Sequence, residues 1–465
     1  MEETEALIKE PRKLGKNEID MTSGPLVSKM LKFAIPLVLS GLLQLLFNAA
    51  DLVVVGRFAG SASLAAVGAA ASPVNMVVCL LIGLSTGVNV VVARAVGAGR
   101  EKDIHEAIHT AILVAMIGGL ILVLVGLAVS EPLLRFTKTP EEVLPLAKTY
   151  QDILFIGIPI MAVYNFGSAI FRARGDTKRP LIFLSVAGAL NVALNLMFVI
   201  VFHLAVVGVA LATVLSQVVS TTMILITLSR EEGPFKLELK KLRIHKSKLI
   251  PILRMGIPAG IQGMMFSVSN LVVQSFINAF GKTVMAASSA ASSLEGFTFI
   301  VIDSFAQTSV SFTSQNMGAG KFDRIKRVFR MSVLLGCGIG EVFGLVTYFF
   351  GEPLLGIYST DPAVIEQGMI RLFWMCVPYA VCAFMNIVPG SVRGMGYSIF
   401  PTVATMVGAC VLRIVWLETV CTLPQCSGIE WVWAAYLVTW AITGVAHYVF
   451  YRIVYKKVAG QAENK

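Results

Sequence analysis

The sequence predicts an all-α membrane protein in which twelve transmembrane helices form two parallel-repeat six-helix lobes around a central cleft. Three observations predict it. Of 465 residues, 56% are hydrophobic and only 14% charged, against roughly 45–50% and 25% in a soluble domain. That balance excludes a water-soluble globule, and with 27 Phe it carries too much apolar surface for a disordered chain or a disulfide scaffold. Apolar runs of about 20 residues, the length that crosses a bilayer, recur along the whole chain. The chain also repeats itself at an offset of about 221 residues, far beyond the roughly 20–50-residue period of a solenoid.

Residues 1–28 read as a cytoplasmic tail, polar through Glu2, Glu3, Glu5, Lys9, Arg12, Lys13 and Lys16. The tail lacks the apolar core and small-residue cleavage site of a signal peptide, so the first span is expected to remain as an anchor. Six spans at about 30–55, 64–93, 105–129, 144–170, 180–202 and 206–229 make up a first lobe over 29–229. A linker at 230–248, carrying Lys236, Lys240, Lys241, Arg243, Lys246 and Lys248, reads as a cytoplasmic tether lying on anionic lipid. Six more spans at about 249–279, 285–313, 328–350, 364–389, 400–421 and 430–452 fill a second lobe over 249–454, and 455–465 form a second cytoplasmic tail. Of seven cysteines, only Cys421 and Cys426 share an aqueous loop where a disulfide is conceivable.

The net charge of +10 is unevenly placed: roughly 28 Lys and Arg fall in tails and loops on the N-terminal side, and roughly 4 on the other. This is the positive-inside pattern of a chain with both ends in the cytoplasm. No stacking aromatics interleave with these cations, so no nucleic-acid partner is expected.

The repeat is legible in short matches. Ile35-Pro36 recurs as Ile257-Pro258, Gly97-Ala98-Gly99 as Gly318-Ala319-Gly320, and Glu131-Pro132-Leu133-Leu134 as Glu352-Pro353-Leu354-Leu355. Pro159 then matches Pro378, and Arg174-Gly175 matches Arg393-Gly394. An even number of spans per copy makes both halves enter from the same side, so their symmetry axis runs along the membrane normal. Two such bundles joined by one tether can rock, the geometry of alternating access.

Polar residues inside spans mark the candidate sites. In span one Ser40, Gln44, Asn48 and Asp51 share one helical face. A carboxylate at bilayer depth is costly and should face a cavity, where desolvation of its ionised form lets it load and release a proton. Pro36 and Pro258 sit where a missing backbone hydrogen bond permits bending, as gating elements or as passive kinks. Span eight carries Glu295, Asp303 and Gln307, expected to attract a cationic substrate or ion. Span seven adds Asn270 and Gln274, and span five adds Asn191 and Asn195, as ligands or as interhelical glue. Arg413 reads as the one basic residue deep in a span, so a carboxylate or carbonyl partner is expected, with Glu418 near in sequence and Glu295 or Asp303 distant. Against these few acids a single arginine leaves the cleft acidic, which favours cationic cargo.

One motif points elsewhere. His105-Glu106-Ala107-Ile108-His109 spells HExxH, the signature of a zinc protease helix. The repeat carries the two histidines to Lys326 and Arg330, and basic residues meeting headgroups explain both halves, whereas a zinc site explains one and lacks a third ligand.

The arrangement resembles the multidrug and toxic compound extrusion (MATE) family of secondary transporters. The residues that carry the resemblance are Ile35-Pro36 with Asp51 and Val55-Gly56, the turns Gly97-Ala98-Gly99-Arg100 and Gly318-Ala319-Gly320-Lys321, and Arg174-Gly175-Asp176-Thr177-Lys178. The resemblance implies a V-shaped pair of lobes that export organic, cationic or otherwise toxic compounds in exchange for H⁺ or Na⁺. It also implies that Asp51 matches the span-one acid of the DinF-like branch. The second acid that archaeal relatives carry in span five is replaced here by the Asn191 and Asn195 pair, and the acids of the NorM-like branch in spans seven and ten are missing from the span cores. Ion coupling is therefore expected at Asp51, Asn48, Asn191 and Asn195, and substrate binding at Gln44, Asn270, Gln274, Glu295, Asp303 and Gln307. The expected partners are a small organic substrate and membrane lipid, the expected state is a monomer, and no cofactor is expected beyond the coupling ion. A lipid-linked sugar flippase of the same superfamily is the nearest alternative, and should show an Arg- and Lys-lined cleft that holds pyrophosphate.

Overall fold

A computed structural model describes residues 15, 17–137 and 139–463; the part of the expected N-terminal tail at 1–14 and 16, and the last two residues, lie outside the described residues. The chain runs through α1 (Leu26–Val54), α2 (Gly60–Gly97), α3 (Glu101–Phe136), α4 (Leu144–Ile156), α5 (Ile158–Arg174), α6 (Lys178–Leu196) and α7 (Ala205–Arg230). It continues through α8 (Lys246–Asn278), α9 (Lys282–Gly318), α10 (Phe322–Phe349), the short α11 (Gly351–Gly356), α12 (Pro362–Cys376), α13 (Tyr379–Gly394), α14 (Ile399–Thr405), α15 (Leu412–Thr419) and α16 (Ile429–Glu463). Apolar length explains the helices: in a bilayer every backbone N–H and C=O must be satisfied within the span.

Among the described residues nine helical runs are long and apolar enough to cross a membrane, and two bent pairs bring the number to eleven. The first run, Leu26–Gly97, is 72 residues long, about 108 Å at 1.5 Å per residue, which is too much for one crossing. It folds back at Gly60, whose φ of 84° is a left-handed conformation that a side chain would strain. Split there, the run supplies two spans and the fold has twelve. The bent pairs are α4 with α5, at 47°, and α12 with α13, at 46°. They break beside Pro159 and Pro378, the prolines that the repeat matches, because each ring removes a backbone donor. Pro36 and Pro258 instead lie within the continuous α1 and α8.

Helices α1–α7 and α8–α16 build the two lobes of a V. They touch along α2 against α8 and α9, and along α1 against α9. A Cβ on Gly83 would lie 2.1 Å from the Gly260 nitrogen, and one on Gly97 would lie 1.9 Å from the Gln315 carbonyl oxygen. Only glycine lets the backbones approach this far. These contacts, with the Asn75–Ser267 hydrogen bond at 3.3 Å, fall in the part of α2 that leads toward the Lys- and Arg-rich side. The cleft therefore opens on the opposite side.

Two segments on the basic side are more ordered than a tail and a tether need be. Met21 is fully buried, and its carbonyl accepts from Asn316 Nδ2 (3.0 Å) and Arg324 Nε (3.1 Å) of the second lobe. Arg324 also donates to the Ser23 and Gly24 carbonyls. Toward the first lobe, Ile19 N–H donates to the Gly175 carbonyl at 3.2 Å, and Glu18 pairs with Arg174. The segment straps both lobes together. The linker docks on α3: Phe235 and Leu237 are buried, His109 Nε2 accepts from Glu238 N–H at 3.1 Å, and Thr110 Oγ1 accepts from His245 N–H at 3.1 Å. With His109 Nδ1 against the His105 carbonyl at 2.8 Å, both ring nitrogens of the HExxH histidine have backbone partners. Cys421 and Cys426 are free thiols.

Candidate functional site

Within the first lobe, Asp51 sits in the last turn of α1 and accepts a hydrogen bond from Asn195 Nδ2 of α6. Asn195 Nδ2 also reaches Asn191 Oδ1 one turn earlier, at 3.3 Å, and Asn191 Nδ2 reaches Thr213 Oγ1 of α7 at 3.5 Å. The Tyr150 side chain of α4 lies within electrostatic reach of the carboxylate. Asn195 is fully buried and Asn191 nearly so, while Asn195 Oδ1 has no hydrogen-bond partner. Each of the two helices leaves the site through a π-helical turn, Val55–Ala59 after α1 and Met197–Val201 after α6. Such turns insert an extra residue and are frequent at functional sites, since they loosen the ladder beside it.

The cluster therefore gathers carboxylate, amide and hydroxyl oxygens from three helices, with no Lys or Arg ion pair to Asp51 among the described residues. Hard oxygens without a resident cation can accept a proton or a small alkali ion. Of the residues expected there, the structure joins Asp51, Asn191 and Asn195. Asn48 and Gln44 share the α1 helix but remain exposed outside the cluster, and Ser40 donates to the Pro36 carbonyl of its own helix at 2.8 Å. Thr213 begins a stripe with Ser216, Gln217, Ser220 and Thr221 at helical spacing, a signal that could have found it, whereas Tyr150 has no polar residue at helical spacing.

The second lobe corrects two expectations. Glu295 of α9 is held by Arg371 of α12 through two parallel bonds of 2.7 and 2.9 Å. Arg371 also donates to Ser288 and stacks over Trp433 at 4.8 Å. With its charge neutralised, Glu295 offers no free field to a cation. Arg413 is likewise not partnered by Glu418, Glu295 or Asp303: it donates to Thr439 Oγ1 at 3.2 Å and lies 3.8 Å from the Tyr436 ring centre. A cation–π contact meets part of the cost that a carboxylate was expected to meet. On α8, Gln274 donates to Asn278 at 2.8 Å, and Asn270 is exposed.

Asp303 and Gln307 lie between the lobes. Gln307 Nε2 donates to Asp303 Oδ2 at 2.6 Å, and Asp303 is exposed to the cleft. The guanidinium groups of Arg172, from α5, and Arg393, from α13, act on it electrostatically from opposite lobes. Arg393 donates to Gln262 at 2.6 Å. One turn below, Asn89 of α2 and Ser311 of α9 exchange bonds of 2.9 and 3.2 Å across the seam. The interior thus holds Arg172, Arg371 and Arg393 besides Arg413, so the expected excess of acid in the cleft is corrected. In sequence Arg172 and Arg393 look like loop cations at span ends, and only their long stems carry the charge inward.

The MatE family model matches residues 36–197 and 258–417, one match in each lobe. The "Probable multidrug resistance protein YoeA" of Bacillus subtilis is 26% identical, over 91% of this chain and 93% of the relative. The "FAD transporter" of Shewanella oneidensis is 24% identical, over 93% and 96%. Among solved structures, an outward-facing multidrug resistance MATE family transporter of the MOP superfamily superposes with a TM-score of 0.89 at 21% identity, covering 96% of this chain and 99% of that one.

Proposed function

Because this chain belongs to the MatE family of multidrug efflux transporters, we propose that it is a secondary active exporter, moving small organic molecules out of the cell in exchange for H⁺ or Na⁺ by rocking of its lobes. It works in the cell membrane as a monomer, with both termini and the basic side in the cytoplasm, and the cleft described above then opens outward.

The observation that carries this reading is the Asp51 cluster. Asp51 lies on α1, which also touches the other lobe where a Cβ on Gly41 would lie 2.6 Å from Ile300. Loading Asp51 with a proton, or its oxygens with Na⁺, changes what Asn195 can donate to. The tie between α1 and α6 loosens beside the π-turns, α1 shifts against α9, and bound cargo is released outside. Return of the empty lobes carries the ion inward. The cargo is an organic cation, which competes with the coupling ion for Asp51, a carboxylate with no Lys or Arg ion pair among the described residues.

A second reading rests on Arg172 and Arg393. Two guanidinium groups facing one carboxylate at the seam suit an organic anion, the type of cargo named for the Shewanella relative, or the headgroup of a flipped lipid. One experiment separates these. Proteoliposomes carrying wild-type protein or Asp51→Asn are given separate pH and sodium gradients, with ethidium, a flavin dinucleotide or labelled lipid as cargo. The proposed reading requires gradient-driven ethidium export that the variant loses. Undiminished export by the variant removes Asp51 from coupling, and movement of labelled lipid alone transfers the reading to a flippase.

A further inference from the structure

Outside the Asp51 cluster and the seam, the basic side holds a cavity of about 310 Å³, at the small end of the roughly 300–1,000 Å³ range of ligand pockets. Its wall comes from both lobes: the end of α2 and the start of α3 on one side, the first two turns of α8 and Gly396 on the other. Four cations line it, Arg94, Arg100, Lys248 and Arg254, against a single acid, Asp103. Asp103 is already committed, being paired with Lys248 and lying 3.1 Å from Arg100 Nε. Lys248 also lies 3.8 Å from Glu106.

Arg94 and Arg254 are left without a carboxylate partner among the described residues. Arg94 makes one hydrogen bond, to the Gly394 carbonyl of the other lobe at 3.3 Å, and its Nε is buried without a partner. A Cβ on Gly396 would meet Arg94 Nη2 at 2.4 Å, so the glycine makes room for the guanidinium. Apart from Ser247, the rest of the wall is apolar, with Val90, Ile250 and Pro251. Ile250, Arg254 and Ile257 follow one face of α8 and are exposed. That face presents an arginine between two isoleucines, with the mouth of the cavity at the level where the span enters the membrane.

We propose that this cavity binds the phosphate group of an anionic phospholipid, with Arg254 and Arg94 as the phosphate donors and an acyl chain along Ile250 and Ile257. The chemistry is that of a half-buried guanidinium lacking an anion, beside a second one exposed at the headgroup level. A ligand there touches both lobes at once and so holds the basic side closed.

The test uses the full-length protein in detergent, titrated with phosphatidylglycerol, phosphatidylcholine or inorganic phosphate. Binding is read by native mass spectrometry and by the shift of the unfolding midpoint. Phosphatidylglycerol should bind Arg254→Gln about tenfold more weakly than wild type, the effect of one lost charged contact. Arg100→Gln, a second exposed lining residue, should weaken it in the same direction, so the outcome does not depend on one variant folding. Lys240→Gln, which removes an exposed charge elsewhere on the same side, should leave binding unchanged. Tighter binding of phosphatidylglycerol than of inorganic phosphate assigns the site to lipid, and equal binding assigns it to free phosphate. Phosphatidylcholine binding as tightly as phosphatidylglycerol, or wild-type affinity in both arginine variants, overturns the proposal.

Discussion

The Glu295–Arg371 pair allows the clearest separation of structure from transport. Both side chains are close to full burial, 12% and 8% exposed, and the pair is bidentate. Truncating one partner of such a pair leaves the other charge without its counter-ion, at a cost of about 3–5 kcal/mol. Arg371→Met should reach that range, because the Glu295 carboxylate then stays buried alone. Glu295→Gln should cost less, about 1.5–3 kcal/mol, because the amide oxygen still accepts one bond and Arg371 keeps Ser288 and the Trp433 ring. Replacing both, Glu295→Leu with Arg371→Met, should cost far less than the sum, since no buried charge remains. At about 2–4 °C per kcal/mol for a unit of lobe size, Arg371→Met lowers the unfolding midpoint by roughly 6–20 °C. The assay is thermal unfolding of the purified protein in detergent, with ethidium export measured on the same variants. Additive midpoint losses, or a double variant that is stable yet fails to export, would refute the reasoning and return Glu295 to the substrate path.

Three further outcomes follow from the basic side. Gly83→Val should push α2 away from α8, because even a Cβ there overlaps the Gly260 backbone; cysteine accessibility of the seam should rise, and unchanged labelling would count against the close approach. Arg324→Ala removes donors to three strap carbonyls. In a cysteine-free background, maleimide labelling of Met21→Cys should speed up about tenfold, as loss of one charged hydrogen bond of ~1.5 kcal/mol implies. Glu231 lies just beyond α7; burial pushes its carboxyl up, but hydrogen bonds and charge from Arg174 and Arg179 outweigh this and hold it below its usual range. A lowered native value stabilises fully above the unfolded value, and this stabilisation fades as pH falls below about 4.5 and through the native value. The unfolding midpoint of wild type should therefore drop more between pH 7 and pH 4 than that of Glu231→Gln, and parallel pH profiles would remove Glu231 from the account.

What the sequence made legible was the part that depends on period and hydropathy. The two copies, the matched Pro159 and Pro378 and the candidate Asp51 are all written in local spacing, although bending was expected at Pro36 and Pro258 instead. The partners of polar residues were harder, because an interior partner is chosen by packing between spans distant in sequence. Arg371 lies 76 residues from Glu295, and a complementary charge in two spans of one half was the only signal available. Arg413 was expected to meet a carboxylate or a backbone carbonyl, the usual remedies for a buried guanidinium, yet an aromatic face and a hydroxyl took that place. Asn191 and Asn195 could be read as glue or as ligands, and only their meeting with Asp51 separates the two. The strap could not be read at all: Met21 is an apolar residue in a polar tail, and its burial depends on Asn316 and Arg324, nearly 300 residues away.

The duplication sharpens the case for a single ion site. The step of 222 residues that carries Pro36 onto Pro258 carries Asp51 onto Val273, and the step of 221 that carries Pro180 onto Pro401 carries Asn195 onto Trp416. Val273 is 1% exposed and lies in an apolar cluster with Ile277, Leu417 and Trp433. The position of Asp51 is therefore filled in the second lobe by an aliphatic side chain, and no acid–amide pair stands there. An apolar contact has no protonation state and no ion to lose, so on the proposed mechanism the second lobe has no switch at this place. The acid–amide contact can exist in two states at the same place in the fold. On the proposed mechanism, this chemical asymmetry between copies that share one architecture gives the rocking motion a lobe that switches and a lobe against which it moves.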